Sequence, residues 1–123
     1  MKWIECLADL IFPRKCEICG RLLTGDERYI CEDCMEDMPL TYYWDWPENP
    51  AEKKLWVRTH LHRVIPLFFY TRESRYITLI HKIKYQGKAH LGHYMGFMLG
   101  EKLRGVLSDV DYVVPIPLHP IRR

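Results

Sequence analysis

The sequence predicts an α/β fold in which a small cysteine-rich module precedes the first part of a parallel sheet. Two Cys-x-x-Cys pairs lie within residues 16–34 and define the module. Further along, apolar stretches at residues 64–70 and 112–117 flank two stretches with helical periodicity. Because a strand–helix–strand order implies parallel strands joined by a right-handed crossover, we expect the second half to begin an α/β sheet.

Length and composition predict a folded chain. With 123 residues it is long enough for one ordinary domain or two small ones. Hydrophobic residues make up 48%, which predicts a packed core and argues against disorder. The formal net charge of +2 at pH 7 does not by itself indicate nucleic-acid binding. We place a domain boundary after the cysteine module, which divides the chain into residues 1–55 and 56–123.

The first expected element is a short helix over residues 3–12. Trp3, Leu7 and Ile11 recur every four residues and form its apolar face, and Pro13 ends the helix. Cys6 lies beside this face. We interpret it as a small buried hydrophobic residue and not as a further metal ligand.

Four cysteines form the strongest motif: Cys16, Cys19, Cys31 and Cys34. A two-residue gap lets one tight turn direct two sulfurs at one point, and two such turns give the tetrahedron that Zn²⁺ prefers. Gly20 follows the first pair and is expected to take a positive φ. Between the pairs, Gly25 and Asp26 predict the turn of a small β-hairpin.

The spacing favours a structural zinc site over an iron–sulfur cluster or a redox pair. Four protein ligands leave no open position on the metal for a substrate. We therefore expect the Zn²⁺ to stabilise the local fold without doing chemistry, and we assign no catalytic residue in the chain.

Residues 40–56 combine aromatic residues with two prolines, and we expect no regular element there. The aromatic residues are Tyr42, Tyr43, Trp44, Trp46 and Trp56. One interpretation is a stacking surface for nucleic-acid bases, and the other is a seam that joins the cysteine module to the next domain. We favour the seam because amphipathic rings commonly fill such junctions.

Two helices are expected between the apolar stretches. Ser74 is expected to cap the first, which runs to about Tyr85 and ends at a glycine, Gly87. The second runs over about residues 91–103. It carries glycines at every fourth position, which predict close backbone packing against another element: Gly92, Gly96 and Gly100.

Two basic regions are candidates for binding an anion. The first comprises Lys82, Lys84 and Lys88, and the second comprises His119, Arg122 and Arg123. These side chains suit phosphate groups, and ligands bind at the carboxyl ends of parallel strands. The lysines also complement a helix dipole, and the C-terminal residues also suit a solvated tail. We do not expect the pair His90 and His93 to bind a metal, because no carboxylate or cysteine is near them in the sequence.

The cysteines also indicate the compartment. Zinc thiolates and one spare cysteine favour a reducing environment. No signal peptide is apparent at the N-terminus, and the apolar stretch at residues 91–103 is too short and too charged to span a bilayer. We therefore expect a cytoplasmic protein without a membrane span.

Several motifs occur together in an order that resembles one family. Cys16–Gly20 forms a Cys-x-x-Cys-Gly turn, and the second cysteine pair, a Leu-Thr step after Pro39 and the pair Asn49-Pro50 follow. The runs Leu79–Gly87 and Val113–Pro120 complete the pattern with His-Lys-Ile-Lys-Tyr-Gln-Gly and Val-Pro-Ile-Pro-Leu-His-Pro. Over nearly its whole length the chain resembles the ComF family of competence proteins, which join a zinc ribbon to a type I phosphoribosyltransferase domain.

The resemblance implies a zinc ribbon followed by an incomplete phosphoribosyltransferase-like α/β domain over residues 56–123. It implies a role in DNA uptake, with single-stranded DNA and a competence helicase-type protein as partners. A complete homologue would bind phosphoribosyl pyrophosphate with Mg²⁺. Lys82, Lys84 and residues 119–123 would then lie around the pyrophosphate.

The chain departs from the family pattern in one respect. It lacks the two adjacent acidic residues and the Thr/Gly-rich phosphate loop that follow in family members. We therefore expect a chain truncated before that loop and without transferase activity. The alternative hypothesis is a non-catalytic zinc-ribbon module that binds single-stranded DNA or a protein partner.

Overall fold

A computed structural model describes residues 2–117, and this part of the chain is mainly helical. It contains five α-helices, α1 to α5 in chain order, and one short 3₁₀ helix at Tyr43–Asp45. The α-helices are Lys2–Ile11, Glu32–Glu36, Pro50–Trp56, Ile77–Tyr85 and Ala89–Leu103. None of the described helices is long and apolar enough to cross a membrane.

The predicted parallel sheet is wrong for the described part of the chain. Residues 2–117 form no extended strand ladder and contain only two isolated antiparallel bridges, Lys15 to Leu22 and Leu40 to Phe68. The stretch at residues 112–117 has no pairing partner among the described residues, and Val113 is 93% exposed. Its two prolines also lack the N–H groups that a ladder needs.

The other predicted strand, at residues 64–70, pairs with the end of the cysteine module. The Phe69 N–H donates to the Pro39 carbonyl at 2.8 Å, and the Thr41 N–H donates to the Leu67 carbonyl at 3.1 Å. This antiparallel contact crosses the predicted domain boundary near residue 55, and the boundary itself stays a prediction. The predicted hairpin between the cysteine pairs does not form within the described residues. A turn is present at Gly25 and Asp26, but the bridge of this region, Lys15 to Leu22, encloses the first cysteine pair instead.

The aromatic segment is more regular than its two prolines predict. Asn49 begins helix α3 instead: its side-chain oxygen accepts the Glu52 N–H at 3.0 Å. Pro50 occupies the first helical position, where no N–H is needed. The spacing from Asn49 to Glu52 is that of a capping box, which the sequence interpretation missed.

The three predicted helices are present. Helix α1 buries none of its residues, and Cys6 is exposed, so its interpretation as a buried residue is wrong. Helix α4 begins at Ile77, later than expected, and Gly87 follows its end with φ +65°. A Cβ at Gly92 of α5 would lie 3.5 Å from Ile83 of α4, as close packing predicts, whereas Gly96 and Gly100 have no such neighbour.

The core joins the cysteine module to helices α4 and α5. Three of the four motif cysteines share one buried cluster with residues of these helices. The cluster comprises Cys16, Ile30, Cys31, Cys34, Met38, Tyr76, Leu79, Leu91 and Met95. The ribbon and the helix pair therefore stabilise each other through one common core.

Candidate metal centre

The four cysteine sulfurs converge. They lie within 4.8 Å of one another, and the Sγ atoms of Cys19 and Cys31 are 3.6 Å apart. Sulfurs at the corners of a tetrahedron around Zn²⁺ are about 3.8 Å apart, because the Zn–S distance is about 2.3 Å. The donor set and its spacing therefore fit a four-coordinate zinc ion.

The first Cys-x-x-Cys turn closes through its backbone. The Cys16 N–H donates to the Arg21 carbonyl at 2.7 Å, and the Gly20 N–H donates to the Cys16 carbonyl at 2.9 Å. Gly20 has φ +77°, as predicted, in a region that side chains with a Cβ rarely adopt. This turn directs the two sulfurs of the pair toward the same point.

The second pair is built differently. Cys31 precedes helix α2, and the Met35 N–H donates to the Cys31 carbonyl at 2.9 Å. Cys34 lies within that helix and is 1% exposed. One half of the site is therefore a glycine-terminated turn, and the other half is the start of a helix.

The backbone around the sulfurs favours a thiolate at Cys16. Burial acts to raise the pKa of this thiol, but three backbone N–H groups oppose burial and lower the pKa to about 6; they belong to Cys19, Cys31 and Ile18. The Ile18 N–H lies 3.5 Å from the Cys16 Sγ, and the Cys31 N–H lies 3.4 Å from it. Because the thiolate is the form that binds metal, this geometry prepares Cys16 as a ligand.

The other sulfurs differ in their surroundings. Burial is the main cause that raises the pKa of Cys34, and hydrogen bonds with the other three thiols raise it further. A side-chain hydrogen bond with Cys31 raises the pKa of Arg21, which places a cation beside the cluster. Metal binding must therefore displace the proton of Cys34, so zinc affinity depends on pH.

Glu17, inside the first cysteine pair, connects the centre to the helix pair. Its carboxylate accepts from the Lys82 Nζ at 2.8 Å and from the Lys88 Nζ at 2.9 Å. The Lys82 Nζ also donates to the Glu17 carbonyl at 2.7 Å. Burial acts to raise the pKa of Glu17, but the two lysines lower it below its ordinary value.

A second connection involves the other cysteine pair. The hydroxyl of Tyr76 donates to the Cys34 carbonyl at 2.7 Å, and Tyr76 is 5% exposed. The two halves of the metal centre are thus each attached to the α4–α5 region by a separate polar contact.

The structure separates the predicted anion-binding residues. Lys82 and Lys88 come together at Glu17, whereas Lys84 is exposed and makes no side-chain hydrogen bond or ion pair within residues 2–117. The remaining candidates, His119, Arg122 and Arg123, lie outside the described residues. Anion binding at all six positions stays a prediction.

Sequence reasoning missed Glu17 as a functional residue. Its partners lie 65 and 71 positions away, and no local pattern connects a glutamate inside a cysteine pair with distant lysines. The four cysteines, by contrast, form the only group of three or more potential metal ligands found within residues 2–117.

Comparison with known proteins supports the same assignment for the N-terminal part. Residues 7–43 match the family model described as "Double zinc ribbon domain". No curated protein and no solved structure matches the chain. The chain therefore carries a zinc ribbon domain at its N-terminus, with four cysteines that form a candidate metal site.

Proposed function

We propose that the four-cysteine centre holds a structural Zn²⁺ that organises the ribbon and attaches it to helices α4 and α5. The observation that carries this proposal is the shared core, in which three of the four metal-site cysteines cluster with Leu79, Leu91 and Met95. Four sulfur donors complete the coordination of zinc, so the metal offers no position for a substrate. Its role is to stabilise the fold.

Metal analysis of cysteine variants tests this role. The purified chain is expected to contain about one zinc per molecule, since one closed tetrahedral site is present. Cys31→Ser should lose most of the metal and unfold at lower urea concentration. The matched control Cys6→Ser should keep both properties, because Cys6 is exposed and lies outside the site. Equal zinc content in the two variants would contradict the proposal.

A second candidate function is binding of single-stranded DNA at the aromatic segment. The aromatic rings of this segment differ in exposure. Tyr43 and Trp44 are buried, whereas Tyr42 and Trp46 are 59% and 52% exposed. Tyr42 has φ +57°, a left-handed conformation that costs a residue with a Cβ about 1–2 kcal/mol. Exposed rings on a constrained backbone are suited to stacking with bases.

Fluorescence titration with oligothymidylate tests the DNA function. Binding is expected to quench the fluorescence of Trp46, one of the exposed tryptophans, and to weaken as salt increases. Tyr42→Ala should reduce the affinity, whereas Tyr70→Ala should not, although Tyr70 is similarly exposed at 61%. Identical titrations for the two variants would exclude a stacking role for Tyr42.

The resemblance to ComF proteins supplies a cellular setting for both functions. The motifs at Leu79–Gly87 and Val113–Pro120 support a role in DNA uptake in the cytoplasm, beside a competence helicase-type protein. The described residues do not support binding of phosphoribosyl pyrophosphate with Mg²⁺, because they lack the parallel sheet on which that site depends. Restoration of DNA uptake by the wild-type chain, and not by Cys31→Ser, in a strain without the gene would test this role.

A further inference from the structure

A cavity lies between residues 26–29 of the ribbon and the first half of helix α5. Its volume is about 810 Å³, within the usual size of sites for small molecules. One wall is aromatic and consists of Tyr29, Tyr94 and Phe97. The Tyr29 and Tyr94 rings meet edge to face with centroids 5.4 Å apart, and Phe97 is 64% exposed.

The same cavity contains polar side chains of both signs. Arg28, His90 and His93 line it together with one carboxylate, Asp26. None of these four side chains makes a hydrogen bond or an ion pair within the part of the chain that the structure describes. The His90 ring lies 4.9 Å from the Tyr29 ring, which places an imidazole against the aromatic wall.

We propose that this cavity binds a nucleotide, either free or at the end of a single strand. The aromatic wall suits the flat face of a base, which stacks on such rings independently of sequence. The Arg28 guanidinium suits the phosphate, with which it forms paired hydrogen bonds. The two histidines lie in the first turns of α5, a helix of 15 residues whose positive end favours an anion.

Asp26 distinguishes a nucleotide from a simple aromatic acid. Its carboxylate accepts hydrogen bonds, and a nucleotide offers donors in the base N–H groups and the sugar hydroxyl. For a free nucleotide the inference goes beyond the proposed function. For the end of a strand it rests on the proposed binding of single-stranded DNA but names a different site, because the cavity includes neither a metal-site cysteine nor Tyr42. Failure of nucleotide binding would leave the structural role of zinc intact.

Nuclear magnetic resonance of the zinc-loaded full chain tests the inference, with the Cε1 protons of His90 and His93 as reporters. The probes are thymidine monophosphate, thymidine, inorganic phosphate and a short oligothymidylate. Thymidine monophosphate or the oligonucleotide should shift both histidines saturably. Thymidine should bind about tenfold more weakly, because it lacks the charged hydrogen bonds to Arg28.

Two matched pairs of variants locate the site. Arg28→Gln should weaken the nucleotide about tenfold, and Arg58→Gln, an exposed arginine outside the cavity, should not. Phe97→Ala should weaken both thymidine and its monophosphate, whereas Phe12→Ala, 79% exposed on another surface, should change neither. Zinc content and circular dichroism establish that each variant is folded.

The outcomes separate the sources of the nucleotide. Binding of the monophosphate alone supports a free nucleotide, binding of the oligonucleotide alone supports the end of a strand, and binding of both shows that the cavity accepts either. Absence of a saturable shift with either probe in the millimolar range overturns the inference. Equal affinities for Arg28→Gln and Arg58→Gln overturn it as well.

Discussion

Glu52 carries a charge that the fold encloses almost completely, since the residue is 1% exposed. Its Oε1 accepts hydrogen bonds from the Asn49 side chain at 3.0 Å, the Arg63 Nε at 2.9 Å and the Val64 N–H at 3.1 Å. Arg63 continues the network by donating to the Tyr43 carbonyl at 2.8 Å. The carboxylate thus connects the start of α3 with the segment that follows it and with the aromatic segment.

Replacement of Glu52 by glutamine should therefore destabilise the protein. The neutral amide keeps the shape but loses the charge-assisted hydrogen bonds, and its NH₂ group brings donors into a site built around an acceptor. We expect the free energy of unfolding to fall by about 1–3 kcal/mol, measured by urea denaturation. The control Glu73→Gln, on an exposed residue, should change it by less than about 0.5 kcal/mol. Similar values for the two variants would show that the network contributes little.

The carboxylate of Glu52 also predicts that the stability of the folded chain depends on pH. Burial acts to raise the pKa of Glu52, but the Val64 N–H and Arg63 lower it below the ordinary value of 4.5. A lowered pKa stabilises the folded chain above pH 4.5, and this contribution is lost as the pH falls through the folded pKa.

The difference in unfolding free energy between wild type and Glu52→Gln should accordingly be constant near neutral pH and shrink in acid. Taking the difference removes the effect of zinc release, which both proteins share. If the difference in unfolding free energy stays constant down to acidic pH, Glu52 is not the source of the pH dependence of stability.

At the scale of elements, Glu17 attaches the first cysteine turn to helices α4 and α5. Glu17→Gln should lower the free energy of unfolding by about 1–3 kcal/mol, because it weakens charged hydrogen bonds to two lysines at once. Zinc content should not change, since the four sulfurs remain. A double-mutant cycle with Lys82→Met should give a coupling energy above about 0.5 kcal/mol. Additive effects of the two substitutions would contradict the contact.

Helix α1, unlike α4 and α5, does not pack into the core, because its apolar residues are exposed to solvent. Its described connection to the ribbon is the exposed pair of Asp9 and Arg14, 3.2 Å apart. Removal of residues 2–11 should therefore change the free energy of unfolding by less than about 1 kcal/mol. Leu79→Ala serves as the positive control and should cost about 2–5 kcal/mol, since Leu79 is fully buried. A large loss on removal of α1 would reveal a contact that the described residues do not show.

The elements differ in how far the sequence predicts them. Helices α1, α4 and α5 follow from apolar periodicity, and Gly20 and Gly87 occupy the left-handed positions expected of them. The predicted sheet is absent from the described residues, because an apolar segment forms a strand only where another strand pairs with it. Residues 64–70 form a short antiparallel backbone contact with residues 39–41, whereas residues 112–117 pair with no other segment of the described chain.

At the scale of the whole molecule, the metal site was predictable and its packing was not. The ligands of one site lie within 19 residues, counted from Cys16 to Cys34, so local spacing determines them. The contacts of Glu17 with Lys82 and of Tyr76 with Cys34 span 65 and 42 positions. Such contacts depend on how the core closes, and a single sequence contains no periodic pattern that encodes them.

Removal of zinc should loosen helices α4 and α5 as well as the ribbon, because all three parts share one core. With a chelator, amide hydrogen exchange should accelerate both in residues 14–39 and in α4 and α5. A sample in which the chelator is first saturated with zinc controls for the chelator itself. Unchanged protection in α4 and α5, with exchange confined to the ribbon, would show that the helix pair folds independently of the metal.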